Sequence, residues 1–336
     1  MKKILLWLAA AASTVWTGWQ FRQWRQSRTQ ELKAKGTVVE TAVGPIEYAK
    51  QGSGPVLLAS HGGPGGYDQI KMMADLVDAG FTVLAPSRPG YLGTPLSAGA
   101  TIAQQAEAMI ALLDTLGIDQ VAAVGISAGG PVALELALRY PKRLWGLVMQ
   151  SGVALPYQPN EETADSVLGK LFLTDGLLWL LDMGTWLFEQ FSLRFPLPSA
   201  KMMIQTESDL SSEQIDTHLN YMRQNGERIE WYKALIRSTG PMSLRKAGLD
   251  NDLVQLANLP HLPLEQITLP TLVMHGQADA DVPYRNAQFV AETVPNSQFI
   301  TLPDAGHLIW LSPEWPTART QLLSFLNQHS ISPEAI

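Results

Sequence analysis

Apolar residues follow two different rhythms along the chain. Between residues 37 and 154, and again from 266, they come in short β-like runs separated by glycine, proline and helical stretches. "TVVETAV" and "IEYAKQG", divided by Gly44-Pro45, predict an opening hairpin. "PVLLASHGG" is a continuous apolar run ending in glycines, the pattern of a strand buried on both faces. Residues 68–79 have helical spacing, and "FTVLAPSRPG" is the next strand and turn. Over 101–116, Ile102, Ala106, Met109, Ile110 and Leu113 share one helix face, and Gly117 ends it. "QVAAVGI", a helix over 128–139 and the strand "LWGLVMQSG" continue the alternation, which predicts a mostly parallel sheet covered by helices.

The rhythm changes over residues 155–265, which are rich in Trp, Met, Leu and Phe, with helical runs and no clear strand. It resumes at "LPTLVMHG", followed by a helix near 284–293, the strand "SQFITLP", the loop "DAGHLIW" and a last helix near 313–328. These spans predict an α/β core formed by residues 36–154 and 266–330, interrupted by a helical cap at 155–265.

Residues 1–35 stand apart. Two lysines precede an uncharged run of 18 residues, Ile4 to Phe21, and Arg22, Arg25 and Arg28 follow it. That length is the lower limit for a membrane-spanning helix, and Trp16, Trp19 and Trp24 lie near one end, where indole rings favour the lipid–water boundary. A signal peptide cleaved near Ala10-Ala11-Ala12 and export would use the same features. The arginines beyond the run oppose translocation, so the segment predicts an uncleaved membrane anchor with the body of the chain on the cytoplasmic side.

Charge narrows the partners. The chain carries −7, yet residues 1–35 hold seven basic residues against Glu31, a local +6 that leaves −13 on the rest. An acidic body is a poor nucleic-acid partner. The chain has no cysteine, which excludes disulfides, thiolate metal sites and a cysteine nucleophile. It has no H-E-x-x-H, and no glycine loop is followed by Lys-Ser/Thr, so neither a metal nor a cofactor is expected.

The chemistry centres on "AAVGISAGGPVAL". Ser127 occupies G-x-S-x-G between a strand and a helix. A serine at such a turn is forced into a strained conformation, and Gly125 and Gly129 are needed because a Cβ would clash there. A serine hydroxyl needs a base. Of six histidines, His307 follows the last strand and so opens onto the same sheet edge. His61 and His275 end strands before glycines and suit turn geometry. A carboxylate must orient the base. "HGQADADVP" offers Asp279, with Asp281 as the alternative. The chain order Ser127, Asp279, His307 matches that of this type of elbow. Two backbone N–H groups should hold an oxyanion: Ala128, and Gly63 in "HGGPGG".

With "HGGPGG", "SRPGYLGTP", "GISAGG", "HGQADADVP" and "DAGHLIW" in place, the chain resembles the α/β-hydrolase superfamily over about residues 37–330. The resemblance implies an eight-stranded, mostly parallel sheet with helices on both faces and a cap between the sixth and seventh strands. It places the nucleophile on Ser127, the acid on Asp279 and the base on His307. The expected activity is hydrolysis of carboxylic esters with small to medium apolar acyl groups. Trp179, Trp186, Met202 and Trp231 of the cap are the candidates for an apolar substrate pocket. The "HGGPGG" loop is also similar to that of proline iminopeptidases, which implies an amide alternative with carboxylates such as Glu161, Glu162, Asp165 and Glu207 holding a substrate amine. A non-catalytic receptor or scaffold on the same fold is the third expectation.

Overall fold

The computed structural model describes residues 2–158 and 178–330, with side chains of the first helix from residue 15 onward. Eight strands form one sheet in the order β1-β2-β4-β3-β5-β6-β7-β8. They are β1 (Thr37–Thr41), β2 (Gly44–Gln51), β3 (Val56–Ser60), β4 (Thr82–Pro86), β5 (Val121–Ile126), β6 (Leu144–Gln150), β7 (Thr271–Gly276) and β8 (Ser297–Leu302). The β1–β2 and β2–β4 pairs are antiparallel, and the other neighbours are parallel. The hairpin turn falls on Ala42-Val43. Gly44 and Pro45 already pair with Thr41 and Glu40, and Gly44, at φ 112°, supplies the left-handed residue.

The continuous apolar runs bury both faces by simple alternation. Leu57 and Ala59 of β3 join one core, with Val83, Val124 and Phe325, and Leu58 joins the other, with Leu84, Ala123 and Leu134. Period-two side-chain direction splits one run between two layers.

The covering helices are α1 (Lys2–Lys35), α2 (Ala74–Asp78), α3 (Ile102–Thr115) and α4 (Gly130–Arg139). Between β6 and β7 come α5 (Leu178–Arg194), α6 (Pro196–Thr206), α7 (Ser212–Gln224), α8 (Gly226–Arg237) and α9 (Lys246–Ala257). The last two are α10 (Arg285–Thr293) and α11 (Trp315–His329). Thr101 and Ser211 start α3 and α7 with full capping boxes, paired with Gln104 and Gln214. The helical spacing at 68–79 marks burial of Ile70, Met73 and Leu76 rather than one α-helix. Tyr67–Met73 is 3₁₀ and only Ala74–Asp78 is α-helical.

The N-terminal segment overturns the anchor expectation. Among the described residues no helix is long and apolar enough to cross a membrane. Ser13, Thr14, Thr17 and Gln20 dilute the uncharged run, and α1 continues unbroken to Lys35. Its basic half folds onto the protein, so two of the three arginines that read as a topology signal, Arg25 and Arg28, are ion-pair partners. Arg25 Nε meets Asp182 of α5 at 2.6 Å, and Trp24 donates to Glu189 at 3.2 Å. The Phe21 ring lies 5.7 Å from that of Trp186. Arg28 donates to Asp68 at 2.8 Å and to the Arg237 carbonyl at 3.1 Å, and the Leu32 carbonyl accepts from Tyr67 at 2.6 Å.

Asp68 is buried between Arg28 and Arg245, whose guanidinium contacts both carboxylate oxygens, at 3.1 and 2.9 Å. Removing one partner of a buried pair leaves uncompensated charge, so Asp68→Asn should lower unfolding free energy by about 3–5 kcal/mol. Lys201→Gln, which removes one partner of an exposed pair with Asp216, should cost about 1 kcal/mol or less. Denaturant titration of both variants checks the contrast.

Candidate active site

Ser127 follows β5 at φ 48°, a left-handed conformation that costs a β-carbon residue free energy. Packing enforces it. A Cβ at Gly125 would come within 2.8 Å of the Ala133 Cβ and 2.9 Å of the Gly130 Cα. A Cβ at Gly129 would collide with the Ser60 and His61 carbonyls. The helix behind the serine therefore sits directly on the end of β3, and only glycines permit that approach.

Three loops at the carboxyl ends of β5, β7 and β8 bring the predicted polar residues together. His307 Nε2 lies 3.1 Å from Ser127 Oγ, and His307 Nδ1 lies 2.9 Å from Asp279 Oδ2. Asp279 Oδ1 accepts the N–H groups of Asp281 at 3.0 Å and Val282 at 2.8 Å. Asp281 faces the other side of the ring. Its Oδ2 is 3.6 Å from His307 Nε2, and its Oδ1 accepts from the Tyr157 hydroxyl at 2.7 Å. The carboxylate that faces Nδ1 is thus that of Asp279.

These contacts set the charges. Burial works against ionising Asp279, but the His307 charge and the hydrogen bonds from His275 and His307 hold its carboxyl at about 2. Burial likewise disfavours imidazolium at His307. The Asp279 charge and hydrogen bond, with the Asp281 and Glu207 charges, outweigh burial and raise the ring above its ordinary range. Glu207 is pushed up to about 7, first by burial, against the pull of His307 and with the charges of Asp281 and Asp279 adding to the rise.

Gly63 and Ala128 both line the open cleft at Ser127, a space of about 580 Å³. His61 holds their loop. Its Nε2 accepts the Arg88 N–H at 3.0 Å, so its Nδ1 carries the proton given to the Gly62 carbonyl at 2.7 Å. Burial and the Arg88 charge keep this ring neutral, well below the usual imidazole range. Arg88 also donates to the His61 carbonyl at 2.9 Å and pairs with both oxygens of Asp252 on α9. On the loop's other side Arg245 donates to the Gly65 carbonyl at 2.6 Å.

A second cavity of about 110 Å³ adjoins Ser127 and His307, walled by Met72, Met203, Trp231, Leu235, Leu308 and Trp310. Of the four expected pocket residues, Trp231 is in this wall, stacked 5.2 Å from Trp310. Trp186 is not, because Phe21 of α1 covers it. Trp179 and Met202 point outward, 52% and 54% exposed. Helical phase separates neighbours here: Met203 faces inward where Met202 does not. Glu161, Glu162 and Asp165 lie outside the described residues. Sequence reasoning missed Arg88, Asp252, Tyr91, whose hydroxyl donates to Asp252 at 2.6 Å, and Ser151. A left-handed Ser151 at φ 47° closing β6, with its hydroxyl 2.9 Å from the His307 carbonyl, has no local sequence signal.

A strained serine at a strand–helix turn with a histidine and a carboxylate in line is the geometry of hydrolytic enzymes on α/β sheets. The family model described as alpha/beta hydrolase fold matches residues 55–312. The "Uncharacterized hydrolase YcgS" of Bacillus subtilis (strain 168) is 30% identical over 285 residues, 84% of this chain and 95% of that one. An alpha/beta hydrolase fold protein from Nakamurella multipartita superposes with a TM-score of 0.79 at 32% identity, over 87% of this chain and 98% of that one. A thermophilic esterase from Thermogutta terrifontis gives a TM-score of 0.58 at 26% identity, over 88% and 99%. The chain belongs to the alpha/beta hydrolase fold family and is a hydrolase.

Because the folded-state value of Asp279 is depressed to about 2, its contribution to stability is present above its unfolded value of about 3.9 and fades as pH falls through 2. Wild-type unfolding free energy should therefore drop between about pH 4 and pH 2 more steeply than that of Asp279→Asn. Denaturant titrations across that range measure the difference.

Proposed function

We propose that the protein is a serine hydrolase acting on carboxylic esters with small to medium apolar acyl groups. The observation that carries this reading is the unbroken line Ser127 Oγ, His307, Asp279, with hydrogen-bond distances of 3.1 and 2.9 Å. Ser127 attacks the ester carbonyl while His307 Nε2 takes its proton. The N–H groups of Gly63 and Ala128 hold the oxyanion. His307 returns the proton to the leaving alcohol, and an acyl-Ser127 ester remains. A water molecule, deprotonated by His307, then releases the acid and restores Ser127. Asp279 keeps the ring in the Nδ1–H tautomer and stabilises its positive form. Residues 155–265 act as the cap, with the Met203–Trp231–Trp310 wall as the acyl pocket.

Glu207 and Asp281 also line the cavity at Ser127, and that placement favours one second reading. A substrate ammonium between them would suit an aminopeptidase similar to the proline iminopeptidases. Turnover of proline-β-naphthylamide with no ester turnover would select it.

Ser127→Ala should lower turnover of p-nitrophenyl esters by about 10⁴-fold or more and abolish fluorophosphonate labelling. Wild-type turnover in the folded variant overturns the proposal. Asp279→Asn should cost far more activity than Asp281→Asn, since only Asp279 meets Nδ1.

Catalysis needs neutral His307, and its neighbours raise its pKa, so the rising limb of kcat/KM should lie above about pH 6.5. Asp281→Asn removes one of the raising charges and should move that limb to lower pH. Initial rates across a pH series measure the limb.

A further inference from the structure

His275 closes β7 and is buried against the turn that carries Asp279. Its Nε2 lies 2.8 Å from the Val282 carbonyl and 3.0 Å from Asp279 Oδ2. Both neighbours are acceptors, since the carboxyl of Asp279 is ionised. Nε2 must therefore carry a proton, and the tautomer is set by geometry. The same Oδ2 faces His307 Nδ1 at 2.9 Å, so two imidazoles flank one carboxylate oxygen. The Asp281 and Val282 N–H groups complete the carboxylate from the Oδ1 side.

We propose that His275 is a positioning residue for the reaction, fixing the Asp279 carboxylate against His307 by sharing its Nε2–H between Oδ2 and the Val282 carbonyl. This rests on the reading that His307 is the base for Ser127. The physical consequence is twofold. The shared proton orients the carboxylate, because the Val282 carbonyl and N–H bracket the same turn. It also draws charge from Oδ2, which limits how tightly that oxygen holds a proton on His307. The groups facing His307 are Asp279, Asp281, Glu207 and Ser127. Those facing His275 are Asp279 and the edge-on ring of Tyr284.

The test uses full-length wild type, His275→Phe and His275→Gln. Phe keeps a ring without the donor, and Gln restores an N–H near the Nε2 position. Fluorophosphonate labelling rates are measured across pH, normalised to folded protein. The expected result for His275→Phe is a rising limb moved up by about half a pH unit or more, with a lower plateau. His275→Gln should return the limb to the wild-type position. An unmoved limb in folded His275→Phe, or a shift that Gln fails to reverse, overturns the proposal. Should His275→Phe fail to fold, ¹⁵N-histidine spectra of wild type decide. An Nε2–H tautomer at His275 supports the proposal, and an Nδ1–H tautomer overturns it. Wild-type protein that is folded yet never labelled at Ser127 sinks the serine-hydrolase reading instead, a distinct outcome.

Discussion

Gly129 rests on the carbonyls of Ser60 and His61 with no room for a side chain, and the site follows from that contact. It presses the start of α4 onto the end of β3. The serine ahead of it is then driven to φ 48°, and its hydroxyl lifts out of the sheet. The same contact sets the serine beside the "HGGPGG" loop, because that loop begins at His61. Ser127 and the loop are thus registered by backbone packing. The strain at Ser127 is offset by the cores on both faces of the sheet, whose buried strands leave β5 no freedom to relax.

The loop is braced from two directions by buried ion pairs of opposite polarity. Arg88 of the sheet side pairs with Asp252 of α9, and Asp68 of the sheet side pairs with Arg245 ahead of α9. Each arginine also donates to a loop carbonyl, at His61 or Gly65. Buried charges carry a desolvation cost, so such pairs are weak devices for stability alone. Their directional hydrogen bonds tie the β6–β7 insertion to the loop next to Ser127. The N-terminal helix joins this brace through Arg28, one of the basic residues that looked like a membrane flank.

Around His307 the constraint is electrostatic. Three acidic groups, Asp279, Asp281 and Glu207, surround one imidazole. Only Asp279 sits on Nδ1 with both carboxylate oxygens engaged by donors. Its neighbour two residues on is turned to the opposite ring nitrogen and held there by Tyr157. One turn therefore gives two chemically identical carboxylates different environments.

Much was legible in the chain because it depends on local rules. Alternating strand and helix patterns marked the parallel sheet, since buried parallel strands need continuous apolar runs. Gly125 and Gly129 around Ser127 marked the turn, since only glycine tolerates that packing. Ser127, Asp279 and His307 were recognisable by their places after strands, and the structure puts them within hydrogen-bond reach. Long-range choices were not legible. Trp186, Met202 and Trp179 looked like pocket residues by composition, yet facing direction depends on helix phase and on what covers the helix. Trp186 is covered by Phe21, 165 positions earlier. Arg25 and Arg28 read as a lipid flank because their partners, Asp182 and Asp68, are distant in sequence. Sequence by itself determined which backbone shapes were allowed and where a strained serine could stand. Only tertiary structure decided which charges pair and which side chains face the cavity, because those depend on distances between segments that local propensity does not encode.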